Sequence, residues 1–515
     1  MVAPRTRPLG DIADFYAAIW SAVREATDRW RLAIVVEVAM VLAWFAIRTV
    51  AGADGRTYIA WVVAAGVLAL VAPKSGLVVF VATSVFFEPD SLARTLAPRE
   101  LVVLPLAVGV FIRIAADRFR WRPDLTIWLG LALAGGTALG VIHSSIVFDD
   151  VVALHAANSW IGNMAAPIIV LVAAAWTARS GSVRVLVVAI VVAVVASIVS
   201  LIERTAPGVV SLGPFEWVGF WKTFNGRLAG TVPSPNALSA QLIVPTAVAV
   251  AAVILARDLR LKAAGLVATI PMVIAHYLTF SRSPLLGGYV FAVIVGWRIR
   301  RWLGIAVLAA GIVGAAVFLP AYLQVRSQSA LEGAVTPGSI LVASDEFRFR
   351  AWGAAISMWM EAPLTGQGYL AYKELGEAFG DPVLGSPHNE WLRLFAEEGM
   401  VVGVIGLLFI VAVARSLARI PGWLGTGLLG GWAAFVVAAT FNNPFLFVRV
   451  TTIAFAMVGV GLALAEQARA ARATLEAVEP SDQPAPVSNP AAEQDVEAAP
   501  AAPATAESGT DPALD

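Results

Sequence analysis

An all-α, polytopic transmembrane helix bundle is predicted for this chain of 515 residues, and three observations predict it. Hydrophobic residues make up 59% of the chain and charged residues only 14%, a balance foreign to a soluble protein. Apolar runs recur from about residue 32 to residue 466. A run of about 20 apolar residues crosses a bilayer as a helix that satisfies its own backbone hydrogen bonds. Lys and Arg gather in alternate connections, the bias that orients spans in a membrane. The formal net charge of zero argues against nucleic acid as a partner, and the absence of cysteine excludes disulfides and thiolate metal sites.

In chain order, residues 1–31 form a cytoplasmic or interfacial segment with no apolar core of a cleavable signal peptide. Within it Ile12, Phe15, Ile19 and Val23 share one face at helical spacing, which predicts an interfacial amphipathic helix over 11–30. The transmembrane domain is expected over 32–470. Its apolar runs lie at about 32–50, 57–72, 75–88, 99–116, 125–142, 160–178, 183–203, 236–256, 263–280, 284–297, 302–322, 398–416, 423–441 and 446–466, giving 12–14 spans. After Arg472 the chain holds no Lys or Arg and becomes rich in Ala, Pro, Glu and Asp, so 471–515 is expected to be a disordered cytoplasmic tail.

Orientation follows from the cations. Arg5, Arg7 and Arg24, Lys74, Arg118, Arg120 and Arg122, Arg179 and Arg184, Arg257, Arg260 and Lys262, Arg298, Arg300 and Arg301, then Arg415 and Arg419, and Arg469 and Arg472 fall in every second connection, which puts both termini in the cytosol. Arg56, Arg94 and Arg99 are single exceptions. Three long connections then face outward, at about 143–159, 204–235 and 323–396. The last is too long for a structureless loop and should carry its own helices. Phe349, Trp352, Ile356 and Trp359 predict an amphipathic one ended by Pro363, with its tryptophans suited to the membrane surface.

Cations on the outward side are the minority and so the candidates for function. Arg227 lies in NGRLAGTVPSPN and Arg282 in TFSRSPLLGG, both beside the ends of apolar runs. Guanidinium is the always-charged fork that holds phosphate, so both suit a lipid pyrophosphate at that depth. In LGSPHNEWLRLFAEEGM, Ser386 and Pro387 read as N-cap and first helical residue, which places His388 in the first helical turn. The helix dipole there keeps imidazole neutral and welcomes an anion, so His388 is a candidate general base. Taken singly, each arginine is as readily explained by snorkelling or a structural ion pair, and His388 by a satisfied surface histidine. Arg350, Asn389 and Glu398 are candidate supporting residues, and Arg348 and Arg350 have Asp345 and Glu346 as alternative partners. Glu390, Arg393 and Glu397 share a helix face that reads equally well as a solvated ion-pair row. The carboxylates show no spacing of a compact divalent site, so no metal is expected.

GRLAGTVPSPN, TFSRSPLLGG, RAWGAAISMWMEAPLTGQGY and PHNEWLRLFAEEGMVVG, in that order over about residues 220–410, resemble the O-antigen ligase and polymerase superfamily. The resemblance implies a GT-C-like membrane glycosyltransferase of the bacterial inner membrane. It would move a glycan from an undecaprenyl diphosphate carrier to a glycan or glycolipid acceptor on the extracytoplasmic face. It further implies that Arg227 and Arg282 bind the diphosphate, that His388 activates the acceptor hydroxyl, and that neither nucleotide nor metal cofactor is needed. Ligase and polymerase are not separated by these motifs. A transporter or flippase for lipid-linked glycans is the alternative class, and it would place ionisable residues near the bilayer midplane. Glu37 and Arg113 are the main charges inside the expected spans.

Overall fold

The computed structural model describes residues 31–49, 55–84, 98–117, 121, 123–205, 209–212, 215–218, 227–232, 234–332, 337–381 and 385–478. Long apolar segments leave the backbone no partner but itself, and the described chain is accordingly helical almost throughout. In order the helices are α1 (Arg31–Thr49), α2 (Gly55–Val71), α3 (Pro73–Ser84), α4 (Pro98–Ala116), α5 (Leu125–Val147) and α6 (Asp150–Ala178), the last with a π turn at Ile161–Ala165. They continue with α7 (Arg184–Thr205), α8 (Pro235–Leu255), α9 (Leu259–Leu278), α10 (Arg282–Ile299) and α11 (Arg301–Glu332). The set closes with α12 (Pro337–Glu361), the short α13 (Ala371–Leu375), α14 (Glu390–Leu417), α15 (Gly422–Ala439) and α16 (Val448–Val478).

Eight of these, α5 to α9 and α14 to α16, are long and apolar enough to cross a membrane, and α1, α2, α4, α10 and α11 contribute shorter apolar stretches. The protein is a polytopic helical membrane bundle. Its axis is α16, whose apolar stretch is buried all round. Phe455 of α16 meets Phe409 of α14 and Trp432 of α15, with ring centroids 6.1 and 6.0 Å apart. Small residues permit close approach elsewhere: Gly427 and Gly431 of α15 sit on Val244, Ala247, Val248 and Ala251 of α8. The two charges expected inside spans both find partners, since Glu37 pairs with Arg184 and Arg113 donates to the Val71 carbonyl at 2.9 Å.

Several expectations change. The connection expected at 143–159 shrinks to Phe148 and Asp149, because α5 runs to Val147 and Asp149 caps α6 by accepting from Val152 N at 2.9 Å. His143 and His155 are therefore helical residues. The connection at 204–235 holds a two-stranded antiparallel hairpin, β1 (Val209–Leu212) and β2 (Phe215–Val218). Among the described residues the 323–396 connection carries helices of its own, α12 and α13, and α12 takes in most of the predicted amphipathic stretch. Its buried face, however, is Ala351, Ala354, Ala355 and Met358, which leaves Phe349 and Ile356 exposed. The interfacial helix expected over 11–30 lies outside the described residues, as does the tail beyond Val478. Contacts divide the chain into Met1–Arg469 and Ala470–Asp515.

The helix start expected at Ser386 is also displaced. Asn389 is the N-cap, accepting from Trp391 N and Leu392 N at 3.1 Å each. Ser386 donates its hydroxyl to Asn443 Oδ1 at 2.7 Å and accepts from His388 N at 3.4 Å, ahead of the helix, and His388 itself precedes the helix in the left-handed region at φ 49°. Further on, α14 breaks at Gly399 (φ 75°, ψ −178°). The backbone groups around the break are taken up by the segment after α12: Gln367 N donates to Ala396 O at 3.0 Å, Gly368 N to Glu397 O at 2.8 Å, and Met400 N to Pro363 O at 2.8 Å. A Cβ at Gly399 would lie 2.2 Å from Leu364 O. Gly399→Ala is expected to lower stability by at least about 1–3 kcal/mol, the cost of holding a side chain in such a conformation, read as an earlier unfolding midpoint in detergent.

Candidate functional site

Arg227 opens a short segment that lies against the end of α9. Leu228 N donates to Leu278 O at 2.9 Å, Arg227 Nε to Thr279 O at 2.8 Å, and Arg227 Nη2 to Asn236 Oδ1 at 3.0 Å. Leu228, Ala229, Thr231 and Val232 are buried, and Gly230 turns the chain at φ 60° where a Cβ would strike Ser200. From α16, the buried Arg449 donates to Thr231 O at 2.7 Å and fixes the far side of the segment. Arg227 thus joins the first turn of α8 to the last of α9.

Arg282 is the exposed first residue of α10, three positions after the carbonyl that Arg227 grips. Burial, and then the charge of Arg282, hold Arg227 below the usual guanidinium range. The two guanidinium groups are therefore electrostatic neighbours. The intervening turn is tied down by polar side chains: Thr279 Oγ1 accepts from Ser281 N at 3.2 Å, and Ser281 and Ser283 share a hydrogen bond of 3.1 Å.

His388 is half-buried, its backbone N donating to Ser386 Oγ at 3.4 Å. Its pKa is pushed down to about 4, first by burial and then by the charge of Arg348, with Asp381 acting the other way. A neutral imidazole is thus obtained, but by burial and a cation rather than by a helix dipole, and its value departs from the unperturbed one of about 6.5. From sequence, Arg350 and not Arg348 is the candidate supporting residue. Only Arg348 bears on the histidine, whereas Arg350 is exposed.

The loop of His388 and the turn of Arg282 meet through α15's exit. Ser386 Oγ donates to Asn443 Oδ1 at 2.7 Å, and the adjacent Asn442 Nδ2 donates to Ser283 Oγ at 2.8 Å. Arg227 is joined to the same turn through Thr279. The three residues singled out from sequence thus belong to loops linked by hydrogen bonds at one end of the bundle.

Glu390, Arg393 and Glu397 are buried rather than solvated. Arg393 Nε donates to Glu390 Oε1 at 3.0 Å and Nη1 to Glu397 Oε2 at 2.6 Å, with the cation 5.9 Å from the Tyr369 ring. Glu390 Oε2 also accepts from Phe445 N at 3.3 Å, and Glu397 Oε1 from Tyr372 N at 3.3 Å. The Tyr372 hydroxyl donates to Asp381 Oδ2 at 2.8 Å; burial and that carboxylate raise its pKa, so it stays a donor. Glu398 is buried against α5, where a Cβ on Gly140 would collide with its carboxyl group.

Part of the end of the bundle that gathers these groups lies in a stretch that matches a known family. Residues 267–407 match the family model described as O-antigen ligase, Wzy_C. These residues belong to the O-antigen ligase superfamily. The matched stretch holds Arg282, Arg348 and His388, while Arg227 lies before it. No curated protein matches the chain. The family is one of membrane glycosyl-transfer enzymes acting on lipid-linked glycans.

Sequence reasoning passed over Asn442, Asn443, Ser283 and Arg449. The signals were there: an Asn-Asn-Pro turn between two apolar runs, and an arginine inside a span, which is costly and so seldom idle. Arg393→Met is expected to destabilise the protein by about 3–5 kcal/mol, because two buried carboxylates lose their counter-charge. Thermal unfolding in detergent measures this, and Glu390→Gln combined with Glu397→Gln in the same background should restore part of the loss.

Proposed function

We propose that this chain transfers a glycan from an undecaprenyl diphosphate carrier to an acceptor hydroxyl, at the extracytoplasmic face of the bacterial plasma membrane. The observation that carries this reading is the hydrogen-bonded linkage of the Arg227, Arg282 and His388 loops within a bundle that matches the O-antigen ligase family model over 267–407. The diphosphate rests against Arg227 and Arg282, which offset charge as it grows on the leaving group. The acceptor oxygen attacks the anomeric carbon, the bond from that carbon to the diphosphate oxygen breaks, and the acceptor proton passes to His388. One in-line displacement inverts the anomeric centre. The leaving group is already good, so holding donor and acceptor in line contributes much of the rate. The acceptor is a glycolipid in a ligase and another lipid-linked glycan in a polymerase; the ligase-like reaction is the first reading.

Reconstitution with lipid-linked glycan and candidate acceptors tests the assignment. His388→Ala is expected to cut transfer by about 100-fold or more with carrier binding intact, the scale of a lost general base. Arg227→Ala and Arg282→Ala should weaken carrier binding as well as turnover. Parental rates in all three variants would remove the site assignment.

The pH dependence follows from the lowered histidine. A depressed pKa favours the neutral, proton-accepting form, so the base persists until the pH falls to about 4. The acid limb of kcat/KM, which reports the free enzyme, is expected near there rather than near the unperturbed value of about 6.5. Arg348→Gln removes a neighbouring positive charge and should move the limb upward; Asp381→Asn should move it downward. A limb that stays at its original position in both variants would separate His388 from the rate.

A further inference from the structure

Helix α12 packs through its alanines, and its aromatic residues are left over from that packing. Phe349 and Trp352 meet edge to face, with ring centroids 5.5 Å apart and planes at 85°. Trp352 in turn lies 6.3 Å from Phe441, at the exit of α15. Phe349 is 55% exposed, while Trp352 and Phe441 are half-buried. The three rings therefore form a row that runs from the surface to the turn carrying Asn442 and Asn443. None of them belongs to the buried apolar clusters of the described residues.

Two hydrogen-bond donors beside this row have no acceptor in the protein. Trp359 and Trp391 donate their indole N–H groups, to Pro363 O at 3.1 Å and to Thr440 Oγ1 at 3.2 Å, but the buried Nε1 of Trp352 has no partner. Asn443 is 4% exposed; its Oδ1 accepts from Ser386, and its Nδ2 is likewise unpartnered. A buried donor left unpaired is costly, so an acceptor belongs at each of these positions.

Both donors border His388. Arg348, whose charge acts on that histidine, stands one turn before Trp352 on α12, and Asn443 holds Ser386, two residues ahead of His388. The row approaches the histidine from α12, whereas the arginine pair is joined to the same loop through Ser283 and Asn442. The chemistry of the row selects its occupant. A lipid tail would leave both N–H groups unpaired, and a phosphate has no use for aromatic faces. A pyranose uses both, because its axial C–H groups form an apolar face that stacks on a ring while its oxygens accept hydrogen bonds at the rim.

We infer that Trp352, flanked by Phe349 and Phe441, is the platform on which a neutral pyranose of the acceptor glycan stacks, its oxygens accepting from Trp352 Nε1 and Asn443 Nδ2. The inference rests on the proposed function for the sugar's role as acceptor. Phe349, the exposed end of the row, widens the approach by a change of rotamer, a motion that exposed side chains make rapidly. The platform selects the acceptor by ring shape and hydroxyl pattern, and it leaves recognition of charge to the arginines.

Saturation-transfer difference NMR on the full chain in nanodiscs tests this, the probes being the methyl glycosides of glucose, galactose, mannose, rhamnose and N-acetylglucosamine. At least one glycoside is expected to receive saturation at its ring C–H protons, and Trp352→Leu to cut that signal by about tenfold. Trp352→Phe, which keeps a ring and loses the N–H, should cut it by about threefold, and Met360→Ala, at an exposed position two turns further along α12, should leave it unchanged. Absence of transfer to every glycoside, or transfer undiminished in Trp352→Leu, overturns the platform; if that variant loses its unfolding transition, Trp352→Phe and Phe349→Ala decide by the same criterion. In reconstituted transfer, Trp352→Phe should raise the KM for acceptor several-fold at constant KM for donor, and an equal rise in both overturns the assignment to the acceptor. The base reading fails separately: parental transfer by His388→Ala, with glycoside binding still dependent on Trp352, keeps the platform and removes the role of the histidine.

Discussion

Arg393 is the constraint from which the rest of the site end hangs. A guanidinium cannot be buried in an apolar bundle without counter-charge, so Glu390 and Glu397 are drawn in on either side of it, and their remaining oxygens must find donors. Those donors come from elsewhere in the chain, Phe445 N for Glu390 and Tyr372 N for Glu397. The first turns of α14 are thereby clamped to the exit of α15 and to α13. His388 lies two residues before Glu390, so its position is set by the same clamp. The bond from Ser386 to Asn443 repeats the attachment one step earlier in the chain.

The break at Gly399 belongs to the same arrangement. A helix that continued straight from Glu390 would leave the 363–368 segment without partners for its amides, and that segment carries Tyr369 against Arg393. Breaking the helix exposes the Ala396 and Glu397 carbonyls and lets the segment bond there. Irregular backbone at such a depth is tolerated where protein, not lipid, supplies the missing hydrogen bonds. The polar end is therefore rigid through cross-links between loops, while the apolar helices below are held by small-residue contacts such as Gly427 and Gly431 on α8.

Apolar runs made the bundle legible, because the requirement for about 20 apolar residues leaves a one-dimensional trace. Arg227, Arg282 and His388 were legible as polar residues at the ends of those runs. What could not be read was which partner each polar group would choose. Ser386 next to Pro387 is a sound local N-cap, yet His388 turns into the left-handed region, Ser386 is tied to Asn443, 57 residues away, and the cap falls to Asn389. The face of α12 was misjudged for a similar reason. Aromatic spacing marks a helix, but the tight packing against α14 needs alanines at Ala351, Ala354 and Ala355. Glu390, Arg393 and Glu397 have the spacing of a surface row, and only tertiary burial separates that from a structural lock.

Electrostatics gives the site a directional preference that neither burial nor hydrogen bonding supplies alone. Burial first, and then Arg282, lowers the pKa of Arg227; burial first, and then Arg348, lowers that of His388. In both cases a cation disfavours protonation of its neighbour, and an anion placed beside either pair would reverse the effect. On the proposed reading a diphosphate arriving at Arg227 and Arg282 would relieve their repulsion, and its charge would raise the proton affinity of any histidine within reach.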